Sequence, residues 1–105
     1  MFVSRMFDDL SYTEVAGDSA DSGATIFALS SCEHCREAMA AFATRGLGYR
    51  YIYVDEQAPE NRIRIKKELG NAYQRHLVFP ILELPGGEEH IFGWDEGVWM
   101  GRLGV

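Results

Sequence analysis

The chain has 105 residues, 47% of them apolar, with two cysteines and a formal net charge of −6. That is enough for one domain with its own core, and too few cysteines for a fold stapled by disulfides. The acidic balance, with no basic stripe to offset it, argues against nucleic acid and anionic membrane surfaces as partners.

The first stretch, MFVSRMFDDL, has one arginine, no apolar run of leader length, and acids from residue 8. No segment approaches the length of a membrane span. The expectation is a soluble, cytoplasmic monomer whose resting thiols are reduced. SYTEVAG alternates as a short strand does, and GDSADSG (17–23) reads as a turn-rich break. TIFAL (25–29) is a β-branched apolar run that fits a buried strand. It ends at Ser30 and Ser31, hydroxyl residues suited to accept the free N–H groups of a starting helix. Acids come early in that helix, at Glu33 and Glu37, and Cys35, Met39, Phe42 and Ala43 recur at helical spacing. Gly46 and Gly48 stop it.

YRYIYVD (49–55) is aromatic, β-branched and alternating, which predicts a strand. Pro59 suits the first turn of a second helix, along which Ile65, Leu69 and Tyr73 form a core stripe. RIRIKK (62–67) reads as the solvated face of that helix. LVFPILEL (77–84) is a strand interrupted by Pro80, PGG a tight turn, and EEHIF (88–92) the returning strand. DEGVWMGRLG (95–104) predicts a short last helix that buries Val98, Trp99 and Leu103. The order β-α-β-α-β-β-α predicts a small mixed sheet with helices on its faces. Residues 1–24 form an N-terminal extension with room for one added strand, and residues 25–105 form the main domain.

Cys32 and Cys35 stand where a buried strand passes into a helix. Free N–H groups and the positive end of the helix dipole favour a thiolate there. A free cysteine titrates near pH 8.5, and this setting in C-x-x-C motifs brings it to about 3.5–7.5. Cys35, nearly one turn on, points more to the core. Cys32 is therefore the attacking sulfur and Cys35 the resolving one. Protonated His34 would help the Cys32 thiolate, Glu33 would oppose it, and Glu37 is screened by water. A zinc site lacks ligands: there is no second C-x-x-C, and His34, His76 and His90 are badly spaced, so no metal is expected. A structural disulfide would close too small a loop to matter.

FALSSCEHC, the proline of VFPILEL and the turn FGWDEG, in this order and spacing, resemble the glutaredoxins of the thioredoxin-like superfamily, over residues 25–103. The resemblance implies a glutaredoxin-type three-layer fold: a four-stranded mixed sheet with helices on both faces. It implies a thiol–disulfide oxidoreductase that carries electrons to protein disulfides or glutathione mixed disulfides. It also implies that Pro80 is cis and faces the thiols, that Phe79 offers its backbone to a substrate cysteine, and that Gly93 and Asp95 contact glutathione, Asp95 at its amine. Asp95 also reads as the N-cap of the last helix. Several positions depart from the family pattern. Leu29 stands where a lysine is common, Glu33 replaces a proline, His34 an aromatic, and Trp94 the second of two glycines. Losing a cation and gaining an acid weakens a glutathione site; Gln74 and Arg75, just before the proline strand, read either as a replacement carboxylate contact or as surface residues at a helix end.

No tightly bound cofactor is expected. Glutathione is a candidate co-substrate, and either it or a flavoenzyme of the thioredoxin-reductase type is the expected electron donor. Two other readings use the same residues. One is a glutathione-dependent [2Fe–2S] cluster carrier. The other is a non-catalytic thioredoxin-like interaction domain in which Trp94 and Trp99 serve a protein interface.

Overall fold

The computed structural model describes residues 7–105. The first six residues of the N-terminal extension, with most of the apolar start of that segment, lie outside the described residues. Five strands and three helices follow one another as β1 (Thr13–Val15), β2 (Ala20–Ala28), α1 (Glu33–Thr44), β3 (Leu47–Tyr53), α2 (Pro59–Tyr73), β4 (Ile81–Glu83), β5 (His90–Phe92) and α3 (Glu96–Leu103). A 3-10 turn, Val54–Glu56, joins β3 to α2.

The strands form one mixed sheet in the order β1-β3-β2-β4-β5. β2 and β3 run parallel, joined by α1, and the other three pairings are antiparallel. The sheet thus has five strands rather than four. The fifth is β1, which pairs with β3 from Thr13 opposite Tyr51 to Val15 opposite Tyr49.

Strand periodicity divides the core. Ile26 and Ala28 of β2 face one side with Leu82, and meet Cys35, Ala38 and Phe42 of α1 and Trp99 and Met100 of α3. Phe27 and Ile81 face the other side, against Ile65 and Leu69 of α2 and Phe7 and Leu10 of the N-terminal segment. The result is three layers: α1 and α3, the sheet, then α2 with residues 7–10 beside it.

Several local expectations are corrected. The turn-rich stretch 17–23 gives its second half to β2, which begins at Ala20. The pairing with β3 shifts register between Asp21 and Thr25, so an irregularity absorbs residues that read as a break. Two backbone bonds from Ser19 and Ala20 to the Gly46 carbonyl, 2.8 and 3.2 Å, anchor that start. α1 buries Cys35, Ala38 and Phe42, while Ala43 is exposed. Gly46, at φ +67°, follows the end of α1, and Gly48 lies within β3. In α3 the buried pair is Trp99 and Met100; Val98 is 47% exposed. Pro80 has no N–H to give a ladder, and β4 begins only after it. No described helix is long and apolar enough to cross a membrane.

Candidate functional site

The parallel β2–β3 pair ends at Ala28 opposite Tyr53, and the chain then turns through Leu29–Ser31 into α1. The serines, expected to cap α1, do not. Instead Cys32 is the N-cap, with φ −117° and ψ 116°, and its Sγ accepts the Cys35 N–H at 3.1 Å. The reason is a competing partner for Ser30. Asp55, in the 3-10 turn after β3, accepts the Ser30 N–H at 2.9 Å and its hydroxyl at 2.6 Å. With Ser30 held back, a sulfur occupies the place where free N–H groups converge.

The Ser30 hydroxyl holds the Asp55 carboxyl below the usual aspartate range. A carboxyl whose folded value is depressed stabilises the fold above its unfolded value. It loses that contribution as pH falls through the folded one. The tether is therefore intact at neutral pH and is released only in acid. Asp55→Ala is expected to slow alkylation of reduced Cys32 several-fold at pH 7, because the loop no longer fixes the sulfur on the helix axis. Asp55→Asn, which keeps an acceptor, is expected to retain most of the rate. Superimposable rate–pH curves for wild type and Asp55→Ala would count against this role.

Cys32 and Cys35 are joined as a disulfide, with Cα atoms 5.2 Å apart. Cys35 is 1% exposed, whereas Cys32 is partly exposed at the edge of the same cluster. Solvent therefore reaches Cys32 and not Cys35. His34 is exposed, and its Nδ1 lies 3.2 Å from Glu37 Oε1, one turn along the same helix face. Glu37, expected to be screened by water, has a half-exposed side chain and lies beside His34.

Residues from the β4–β5 hairpin come to the same end of the sheet. β4 pairs antiparallel with β2, Ile81 opposite Phe27, which sets Pro80 beside Ala28, four residues before Cys32. The Phe79–Pro80 peptide is cis. Phe79 is partly buried where the two core clusters meet. Gly93, at φ +86°, gives its N–H to the carbonyls of both Pro80 (2.9 Å) and Val78 (3.1 Å), so the exit of β5 closes over the proline. Trp99 Nε1 donates to the Gly93 carbonyl at 2.9 Å, and the Trp94 ring meets the Trp99 ring edge-on at 4.8 Å.

Asp95 caps α3, its Oδ1 accepting the Val98 N–H at 3.0 Å. Its neighbour Glu96 pairs at 3.1 Å with Arg45, the C-cap of α1, at the opposite end of that helix from Cys32. Cys32, Cys35 and Phe79 thus share one core cluster, Gly93 is bonded to Pro80, and Asp95 serves as a helix cap. Two neighbours of these residues escape a reading of the sequence. Asp55 is one; it reads as the last residue of the predicted strand 49–55 and lies instead in the 3-10 turn after β3. Lys66 is the other, and it lines clefts that reach both Leu29 and Phe79. Among the described residues no group of three or more His, Cys, Asp or Glu side chains is set to hold a metal.

No protein-family model matches the chain, and no curated protein matches it. Solved structures do. The glutaredoxin from Methanosarcina mazei Go1 superposes with a TM-score of 0.73 at 23% identity, covering 90% of this chain and 88% of that one. Methanosarcina acetivorans methanoredoxin gives 0.65 at 24% identity over 82% and 90%. A buckwheat glutaredoxin, solved as its glutathione complex, gives 0.62 at 22% identity over 78% and 70%. The chain has the fold of these proteins.

Proposed function

We propose that this protein is a thiol–disulfide oxidoreductase that reduces protein disulfides or glutathione mixed disulfides. The observation that carries the reading is the unlike setting of its two sulfurs: Cys32 at the start of α1, accepting the Cys35 N–H, and Cys35 sealed beneath it. In the reduced protein the Cys32 thiolate attacks one sulfur of a substrate disulfide. The other substrate sulfur leaves as a thiolate and takes a proton, and a mixed disulfide remains. The Cys35 thiol gives up its proton and attacks Cys32 Sγ. The second substrate thiol leaves and the Cys32–Cys35 disulfide forms. The substrate gains two electrons and the dithiol loses two. An external dithiol or two thiols then restore the pair.

The hairpin supplies the docking edge. An extended substrate segment has the Phe79 backbone to pair with, since the Val78 carbonyl is already held by Gly93 and Pro80 has no N–H to give. The shared fold with glutaredoxins supports this chemistry, and the glutathione complex of the buckwheat protein makes glutathione one candidate donor. Leu29 and Glu33 weigh against tight glutathione binding, which favours a flavoenzyme of the thioredoxin-reductase type as the alternative donor. A reducing compartment such as the cytoplasm suits the cycle. Steady-state reduction of a protein disulfide, supplied in turn with glutathione plus its reductase and with a thioredoxin reductase, is expected to show turnover with one of the two. Absence of turnover with both overturns the reading.

A further inference from the structure

Among the described residues, the cations of this acidic chain divide into two groups, one already paired with acids and one not. Arg45, Arg50, Arg64 and Arg102 each sit in an ion pair, with Glu96, Glu83, Asp9 and Glu89. Among the described residues, Arg36, Arg62, Lys66, Lys67 and Arg75 form no ion pair. All but Arg36 lie on α2 or in the turn just behind it. Arg75 lies over the Phe92 ring at 4.8 Å, which fixes its guanidinium without neutralising it.

Arg62, Lys66 and Arg75 line two clefts that meet at Lys66, while Lys67 lies outside both. One, of about 720 Å³, runs past Gln74, Arg75 and His76 to Phe79. The other, of about 320 Å³, is bounded by Arg62, Ile63, Asp55 and Leu29, three residues before Cys32. The one acid there, Asp55, spends its hydrogen bonds on Ser30, though the Arg62 charge also favours its carboxylate. Ile63, 65% exposed, adds an apolar contact between the cations. From Arg62 to Gln74 the helix runs about 18 Å at about 1.5 Å per residue. That matches an extended segment of about five or six residues at about 3.3 Å each, longer than a tripeptide needs.

We infer that this groove seats an acidic segment of the disulfide-bearing protein substrate, with its carboxylates on Arg62, Lys66 and Arg75 and its cysteine at Cys32. The inference rests on the oxidoreductase reading for the purpose of docking, though not for binding itself. The net charge of −6 does not oppose it at contact range. Diffuse surface charge is screened beyond about 8 Å at physiological ionic strength, whereas cations within a cleft act directly. Leu29 fits the same picture: the cation missing from the strand end is replaced by cations on the helix facing it.

The test uses pairs of disulfide peptides with one cysteine context and either acidic or basic flanks, and the same two peptides with serine for cysteine as non-reacting probes. Wild type is expected to prefer the acidic disulfide by about tenfold in kcat/KM at low salt, with the preference shrinking as salt rises. The serine probes should show the same preference in fluorescence anisotropy, so that a protein inactive as a reductase still answers the question. Lys66→Glu with Arg75→Glu should reverse the preference. Lys67→Glu, the same charge change outside both clefts, should leave it standing. Equal binding of the acidic and basic serine probes overturns the proposal. So does a Lys67→Glu effect as large as that of Lys66→Glu, which would reveal only a general field. A Lys66→Glu loss confined to glutathione disulfide, with the acidic peptide unaffected, also overturns it, because the groove would then hold only that small carboxylate.

Discussion

Cys32→Ser is expected to reduce disulfide turnover to the uncatalysed background, while Cys35→Ser retains the first chemical step and stalls at the second. Serine's hydroxyl sits at the same N-cap and caps the helix equally well. The fold therefore survives, and the loss reports on the sulfur alone. Cys35→Ser behaves differently because the inner sulfur is 1% exposed and has no route to a substrate. Removing it leaves Cys32 free to attack but leaves nothing within reach to release the product. The variant should therefore accumulate mixed disulfides with protein substrates, visible as mass adducts that a reductant removes. Full turnover by Cys32→Ser would end the scheme. Adducts on Cys35 in the Cys32→Ser protein would reverse the assignment of the two sulfurs.

The asymmetry of the two cysteines is legible in the sequence because it rests on local facts: a buried strand, a break, and a helix three residues later. What is not legible needs partners distant in the chain. Ser30 has the chemistry of a cap, but Asp55, 25 residues away, claims both its N–H and its hydroxyl. The cap then passes to Cys32, and a prediction from residue type alone fails. Residues 20–22 look like a loop because Asp and Ser favour turns. They become strand because Leu47 and Gly48 offer a parallel edge there. In α3, Val98 and Met100 are both apolar and flank Trp99. Only the docking of Trp99 onto Gly93 and Phe42 decides the rotation that buries Met100. Phe7 and Leu10 give no periodic signal at all, yet both enter the core beside α2.

Glu83→Ala is expected to be among the most destabilising single changes in the molecule, by about 3–5 kcal/mol, and the reason again lies in long-range pairing. Glu83 and His90 are cross-strand neighbours in the β4–β5 hairpin, and both are buried. Glu83 Oε2 lies 3.1 Å from His90 Nε2, and its Oε1 lies 3.7 Å from an Arg50 nitrogen. Arg50 donates to Thr25 Oγ1 at 2.6 Å and stacks on the Tyr12 ring at 3.9 Å. His90 Nδ1 meets the Tyr73 hydroxyl at 2.9 Å. The carboxylate therefore ties β3, β2, β5 and α2 through one residue of β4, on the face where Phe27 and Ile81 pack. Alanine would leave the Arg50 guanidinium and the His90 ring facing each other with no acceptor between them. Glu83→Gln would keep the shape and one acceptor and should cost less, about 1–3 kcal/mol. Removing both partners in Glu83→Ala/His90→Ala should cost less than the sum of the single changes, since the pair is coupled. Urea unfolding of these variants, His90→Ala and the wild type measures all three quantities. Against a total stability of about 5–15 kcal/mol for such a domain, the Glu83→Ala protein should unfold at a markedly lower midpoint. A loss under about 1 kcal/mol, within the range of an exposed ion pair, would mean that water reaches Arg50 and His90. The hairpin that carries Pro80 would then be held by its apolar side chains alone.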